Sequence, residues 1–551
     1  MDRDVFTVIV GGKAGQGVKK AGSVAAGLLV GMGRGVFQMD DYPSLIRGGH
    51  NFTVISSAPG EISSHYMRAQ LLVALDARSY SIHKEHMAPG GIIVYNSDDL
   101  SEAEGIGVSM TTEAKKYPLP DLRLGVACPA VTCAALGFDK ERLRTLVEQE
   151  YRRDLENNIA FANSIYDAIY PKIGGRFRLQ PGGGKRRFLS GSEAIALGAV
   201  AAGLDIYMAY PMTPTTSLLH YLAARGPDLG VAVVHPENEI AVANMAIGAA
   251  FAGARAMVGS SGGGFSLMEE AISLAGMTEA PILFFLASRP GPSTGLPTYT
   301  SQGDLKFALS QGHGEFPRIV ASPGSVAEAF YLTAEMLSLV WRFQTPGVLL
   351  TEKHMTEGTM TVAIDPAEAA WAEHKTFSGG HYKRYLDSAD GISPLLFPPS
   401  TQVIKWNSYE HDELGITTDL PDVSARMADK RFRKGEAIRE HLKSKRTVNV
   451  WGDGDPVIFT YGSTTMSVLE ALRAGSIRAT VVQPAYLEPL PVWELEKYRD
   501  RKAIVVEQSR QGQFASLLHE KANIEVASVI RRYDGRPFEP TELAEQIGGM
   551  I

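Results

Sequence analysis

The sequence predicts a multi-domain α/β protein, and three observations carry that prediction. Short apolar runs alternate with helical stretches over Phe6–Tyr170, Leu189–His354 and Val448–Ile551. Such alternation marks parallel βαβ units. Two stretches interrupt it: 173–188, rich in Gly, Pro and Arg, and 356–446, polar and punctuated by Pro and Gly; both read as connecting segments. The 551 residues also suit about three or four domains of roughly 100–200 residues each. The expected organisation is an α/β domain at 1–172, a linker at 173–188, a second α/β domain at 189–355, an irregular region at 356–446 and a C-terminal α/β domain at 447–551.

In the first domain Phe6–Val10 reads as a strand that breaks into a glycine-rich turn before a helix at Val18–Gly31. Ala69–Ala77, Gly91–Tyr95 and Leu124–Ala127 read as further strands, and Asp139–Ala162 as one long helix. The second domain opens with Ser190 or Ser192 as a helix cap. Its strands are expected at Ile206–Tyr210, Val231–Val234, Ala256–Gly259, Ile282–Leu286, Arg318–Ala321 and Gly347–Thr351. The irregular region holds one charged helix near Val423–Ser444. In the last domain, strands at Pro456–Tyr461, Ala479–Val482 and Lys502–Glu507 alternate with helices at Thr465–Ala474 and Pro491–Tyr498.

Composition excludes several classes. The chain is 44% hydrophobic and 21% charged, with net charge −7. That is ordinary for a globular protein and gives no basic face for nucleic acid. No apolar run is long enough to span a bilayer, and the start has no signal-peptide pattern, so a cytoplasmic location is expected. Cys128 and Cys133 are the only cysteines. Their spacing completes neither a zinc site nor an iron–sulfur cluster, which takes about four thiolates. No metal site is expected on this chain.

The chemistry-bearing pieces lie mostly in 205–277. Tyr210–Ser217 (YPMTPTTS) follows a strand; Pro211 and Pro214 stiffen the turn and aim Thr213. Glu239 stands in the first turn of a helix rich in Ala and Gly, where the helix dipole favours a carboxylate in any case. Glu237 competes with it. Gly259–Ser266 (GSSGGGFS), with Gly262, Gly263 and Gly264, can cradle an anion or admit a flat ring to the backbone. It is also an ordinary strand-to-helix turn. Ser288–Asp304 (SRPGPSTGLPTYTSQGD) is a long loop in which Arg289 can grip a carboxylate bidentately, with Thr294 and Thr298 as added donors. In open α/β sheets such loops, beyond the carboxyl ends of strands, bind ligands.

Three further clusters are ambiguous. Gly11–Val18 (GGKAGQGV), with Gly15, Gln16 and Gly17, fits neither the dinucleotide fingerprint nor the P-loop. Arg47–Asn51 (RGGHN), with Arg47 and His50, is a glycine-flanked polar cluster. Gly452–Asp455 (GDGD) opens like a magnesium and diphosphate motif, but no Asn follows in the next strand and helix. It reads as a loop before a strand.

Taken in order, these segments resemble the alpha subunit of 2-oxoacid:ferredoxin oxidoreductases with a gamma domain fused at the N-terminus, in the 2-oxoglutarate style. GGKAGQGV and RGGHN resemble the gamma domain, YPMTP the family's Y-P-I-T-P turn, ENEIA its E-x-E-I-A helix, and GSSGGGF its S-G-x-G-F loop. GPSTGLPT with QGD resembles its substrate loop, and YGST and VVEQSRQGQ its C-terminal motifs, with Ser509 where Asn is usual. The resemblance implies a gamma-type domain, a thiamine-diphosphate pyrimidine-binding domain and a transketolase-C-like domain. It implies that Glu239 bonds the aminopyrimidine, with Pro211 and Gly262–Gly264 lining the cofactor. It implies that Thr213, Arg289 and Thr298 bind the 2-oxo acid, and that coenzyme A lies near Gly15–Gly17, Arg47 and His50. It further implies a beta subunit carrying the diphosphate, Mg2+ and a [4Fe–4S] cluster, a dimer of alpha–beta heterodimers, and ferredoxin as acceptor. An indolepyruvate or branched-chain 2-oxoacid enzyme, or a non-catalytic assembly protein of the same fold, would share many of these features.

Overall fold

The computed structural model describes residues 4–44, 48–101, 103–184 and 186–551. Three sheets organise them. The first is mixed. Phe6–Ala14, Ala69–Ala74, Met87–Asn96 and Ile106–Val108 run parallel; Gly48–Ala58 pairs antiparallel with Phe6–Ala14, and Gly35–Asp41 antiparallel with Gly48–Ala58. The sequence reading missed both antiparallel strands, because runs such as QMDD and NFTVISSA carry polar residues that are nonetheless buried. Helix Val18–Gly31 lies close over this sheet: a methyl on Gly22 would meet Thr53 Cγ2 at 2.3 Å.

Two expected elements of this domain differ. Leu124–Ala127 is not a strand: Leu124–Val126 is a 3-10 turn leading into helix Ala127–Leu136. A short apolar run does not tell a buried strand from a buried helix. The helix is buried on nearly every side and carries both cysteines, whose thiols burial raises to about 12. Asp139–Ala162 is not one helix. Asp139 caps Lys140–Glu150 by accepting from Arg142 N–H at 2.9 Å, and Asp154, with φ 59°, breaks the chain before Leu155–Ile173.

The second sheet holds parallel strands Ile319–Ala321, Gly347–Glu352, Ile282–Ser288, Ala256–Ser260, Ile206–Ala209 and Ala232–Val234. Ser190 caps helix Gly191–Ala201 in a reciprocal box with Glu193. Gly198 lets that helix approach Val326–Phe343, since a methyl there would lie 2.1 Å from Phe330 O. The third sheet contains Val448–Trp451, Thr480–Pro484, Val457–Phe459, Ala503–Glu507 and Val526–Arg531.

The sheets cross the segments that the sequence separates. Arg187–Ser190 and Thr359–Val362 pair with each other, and the latter extends the first sheet beside Gly35–Asp41. Tyr486–Glu488 of the C-terminal region caps the second sheet beside Ile319–Ala321. Helix Pro421–Lys443 is anchored by buried Lys430 and Lys434, whose ammonium groups lie 2.7 and 2.5 Å from the Glu279 carboxylate. Arg384, also buried, donates to the carbonyls of Thr278 and Glu279. Among the described residues no helix is long and apolar enough to cross a membrane.

Candidate active site

The parallel strands of the second sheet all deliver their loops to one edge, where open α/β sheets bind ligands. Asn238 accepts from Ala241 N–H at 2.9 Å, which starts the helix at Glu239 and turns that side chain inward. Glu237 is exposed, whereas Glu239 is only 3% exposed. The fold therefore separates the two candidates. Glu239 Oε1 is buried and has no hydrogen-bond partner among the described residues. Burying half a carboxylate without a donor is costly, and such an atom calls for a partner from outside the chain.

Gly264 forms the facing wall. A methyl on it would sit 2.1 Å from Ser260 Oγ and 2.3 Å from Glu239 Oε1, so only glycine lets the backbone come this close. A methyl on Gly263 would meet nothing within 4 Å, leaving that face open. Ser260 ends the strand before the loop, and its hydroxyl points at Met212 Sδ, 3.9 Å away. That contact joins the carboxylate pocket to the YPMTP turn, where Pro211 is exposed. Thr215 donates to Met212 O at 2.7 Å and closes the turn.

Arg289 leaves the end of the neighbouring strand and donates from Nη1 to Thr213 O at 2.9 Å. The two segments expected to hold substrate are thus bonded to each other. Burial lowers the Arg289 guanidinium, and the Asp304 carboxylate opposes that shift; the group stays charged. Asp304 accepts from Ser288 Oγ at 2.7 Å and packs against Gly262, where a methyl would lie 2.9 Å from Oδ2. Burial pushes Asp304 up, while Ser288 and Arg289 pull it back. Thr298 is buried, and its hydroxyl has no partner among the described residues.

Asp304 and Glu352 escaped the sequence reading. Asp304 is one residue of a long loop, and Glu352 ends an otherwise apolar strand. Glu352 lies in register beside Ser288 and accepts from Ser463 N–H at 2.5 Å. Burial raises its carboxyl to about 7. No local pattern distinguishes either residue: strand register sets Glu352 beside Ser288, and the Ser288 hydroxyl draws in Asp304.

The first-domain candidates form a separate cluster. Gly15 and Gly17, with φ 97° and 73°, make the turn into helix Val18–Gly31. Gln16 is buried, and its side-chain oxygen accepts from Lys13 N–H at 2.7 Å, closing that turn. His50 lies 2.9 Å from His83 Nε2 through its own Nε2 and stacks on Phe52. Burial lowers both imidazoles, His83 to about 3. His50, His83, His86, Arg78, Tyr299 and Arg536 share a cavity of about 410 Å³. Tyr299 brings the loop Ser288–Asp304 to it. Arg47 lies outside the described residues.

Gly452–Asp455 is a turn between strands Val448–Trp451 and Val457–Phe459, with Asp453 paired to Arg478 and Asp455 to Arg501. Its carboxylates are engaged by arginines at the start of a strand, and they do not form a diphosphate cradle. Ser509 accepts from Gln513 N–H at 3.4 Å, a local turn contact.

Residues 197–429 match the family described as pyruvate flavodoxin/ferredoxin oxidoreductase, thiamine diphosphate-binding, and residues 7–168 match pyruvate ferredoxin/flavodoxin oxidoreductase. The alpha subunit of 2-oxoacid:ferredoxin oxidoreductase 2 from Aeropyrum pernix is 30% identical over 98% of this chain and 96% of its own. The 2-oxoglutarate oxidoreductase subunit KorA of Mycobacterium tuberculosis is 27% identical over 98% of this chain and 90% of its own. The solved 2-oxoglutarate:ferredoxin oxidoreductase of Magnetococcus marinus, with 2-oxoglutarate, coenzyme A and succinyl-CoA bound, superposes with a TM-score of 0.90, covering 100% of both chains at 27% identity. The chain belongs to the 2-oxoacid:ferredoxin oxidoreductase family, among its alpha subunits.

Proposed function

We propose that this chain is the alpha subunit, with a fused gamma-type domain, of an enzyme that oxidatively decarboxylates 2-oxoglutarate. With coenzyme A the products are succinyl-CoA, CO2 and reduced ferredoxin. One observation carries the proposal: a buried Glu239 carboxylate oxygen without a donor among the described residues, packed against Gly264 beside a Gly263 that faces open space. When bound, thiamine diphosphate supplies the electron sink that lets a 2-oxo acid lose CO2. Glu239 accepts a hydrogen bond from N1′ of its aminopyrimidine and fixes the ring's orientation and proton distribution. Gly262, Gly263, Gly264 and Pro211 line that ring.

Arg289 pairs with the substrate's 2-oxo carboxylate, and its partial burial strengthens the attraction relative to water. The Thr213 and Thr298 hydroxyls donate to the same end of the substrate. The Asp304 carboxylate, bonded to Ser288 Oγ, adds a longer-range attraction that favours the charged guanidinium. Coenzyme A binds near the turn Gly15–Gly17 and His50, the latter lining a cavity that reaches Tyr299 of the substrate loop; Arg47, assigned to the same ligand, lies outside the described residues.

The diphosphate, Mg2+ and a [4Fe–4S] cluster belong to a beta subunit, and the assembly is a cytoplasmic dimer of alpha–beta heterodimers that reduces ferredoxin. The test mixes the chain with that beta subunit and follows viologen reduction with coenzyme A and a panel of 2-oxo acids. Fastest turnover on 2-oxoglutarate is expected. Preference for indolepyruvate or a branched-chain 2-oxo acid would overturn the substrate assignment, and no turnover with any of them would overturn the catalytic one.

A further inference from the structure

Of the motifs YGST and VVEQSRQGQ only Ser463, beside Glu352, and Ser509 have been placed above; Tyr461, Thr464 and Gln508 are buried with them. Their contacts converge on one turn of the substrate loop, Gln302–Asp304. Gln302 N–H donates to Gln508 O at 2.8 Å, and Gln508 N–H donates to Gln302 Oε1 at 2.8 Å. Gln302 Nε2 donates to Tyr461 O at 2.8 Å, while Tyr461 OH donates to Gln302 O at 3.2 Å. Thr464 Oγ1 donates to Gln302 Oε1 at 2.9 Å and accepts from Gln508 Nε2 at 3.1 Å. Every polar group of Gln302 is thereby bonded to the C-terminal domain.

Gln513 grips the other side of the turn. Its Nε2 donates to Gly303 O at 2.7 Å, and its Oε1 accepts from Lys306 N–H at 2.9 Å. Asp304 lies between these two anchors. Glu507 sets Gln513 in turn, because its carboxylate accepts from Phe514 and Ala515 N–H at 3.1 Å each and fixes the start of helix Gln513–Ala522. Nearby, Thr300 N–H donates to Gly535 O at 3.1 Å, and Arg536 lies 3.9 Å from the centre of the Tyr299 ring.

We propose that the C-terminal domain is a clamp for the substrate loop, and that Gln513 is a positioning residue for Arg289. The connection runs from Gln513 to the Gly303–Lys306 backbone, then to Asp304, then to Ser288 and Arg289. The loop from Ser288 to Asp304 is long and rich in Gly and Pro, so a single shape costs much conformational entropy. The clamp meets that cost before substrate arrives and presents the guanidinium in one orientation. Gln513 is the most informative member because it is half-buried and its side chain bonds only loop backbone, so its truncation leaves the cores intact. The proposal rests on Arg289 being the ligand for the substrate carboxylate.

The test uses the assembled complex and measures kcat, KM for 2-oxoglutarate and KM for coenzyme A in Gln513→Ala, Arg289→Lys and the double variant. Gln513→Ala is expected to raise KM for the 2-oxo acid roughly 5- to 10-fold, the scale of losing one or two neutral hydrogen bonds. KM for coenzyme A should hold, as should kcat within about twofold. In the double variant the KM increase should fall short of the product of the single increases, because both act through one guanidinium. An unchanged KM in Gln513→Ala beside an impaired Arg289→Lys overturns the clamp. So does a loss confined to kcat or to coenzyme A, or a fully multiplicative double variant. An unchanged KM in Arg289→Lys overturns the assignment of Arg289 instead.

Discussion

Gly264→Ala puts one methyl into the space between the cofactor wall and Glu239. Gly264 lies in helix Gly262–Leu267 and has no positive φ, so alanine fits the backbone and adds about 1 kcal/mol of helix propensity. The methyl, however, would lie 2.1 Å from Ser260 Oγ, 2.3 Å from Glu239 Oε1 and 2.8 Å from Glu239 Cδ. Both neighbours are buried, and Ser260 is held in its strand by the sheet on either side. The Glu239 side chain is therefore the part that yields. Overpacking of this kind costs roughly 1–3 kcal/mol; set against the helix gain, the net loss of stability is about 0–2 kcal/mol. The chemical loss is larger. A carboxylate pushed off its line forfeits a charge-assisted hydrogen bond to the aminopyrimidine worth about 1.5–3 kcal/mol, which is roughly 10- to 150-fold in rate. Viologen reduction by the assembled complex, beside thermal unfolding of the same sample, separates the two effects. A Gly264→Ala enzyme that folds normally and turns over at the wild-type rate would refute the reasoning.

Two other substitutions probe the interior. Glu352, raised by burial from 4.5 to about 7, favours its protonated form in the folded state. Its contribution is fully present below the unfolded pKa and is lost as pH rises through about 7, a change on the order of 3 kcal/mol. Glu352→Gln, which keeps an acceptor for Ser463 N–H, should flatten the fall in urea resistance between about pH 5 and 8; equal slopes in both proteins would count against it. For Glu279, burial alone would push the carboxyl up, but Lys430, Lys434 and Arg384 hold it well below the usual range. Glu279→Gln leaves buried cations without their anion at a cost of about 3–5 kcal/mol. Hydrogen exchange should then speed up in helix Pro421–Lys443, and unchanged protection there would contradict this account.

Much of the site is legible in the sequence because its parts are local. A turn stiffened by Pro211 and Pro214, a glycine loop after a strand and a carboxylate in a first helical turn are all written in consecutive residues. Even so, Glu239 and Glu237 differ by one burial fact that only the fold supplies. Asp304, Glu352 and the bonds of Gln302 depend on strand register and on contacts across 159 to 206 positions. No periodicity encodes such pairings. The same limit explains the first domain. Leu124–Ala127 is too short to reveal its helical state, and Gly35–Asp41 pairs on one side with Thr359–Val362, more than half the chain away.

The central claim is that Glu239 supplies the carboxylate of a thiamine site built on this chain. Glu239→Gln keeps the shape and removes the charge, so the measurement is steady-state turnover of 2-oxoglutarate by the assembled complex carrying that substitution. A fall of roughly 10²-fold or more, with the complex still assembled, is predicted. Turnover close to wild type would contradict the claim.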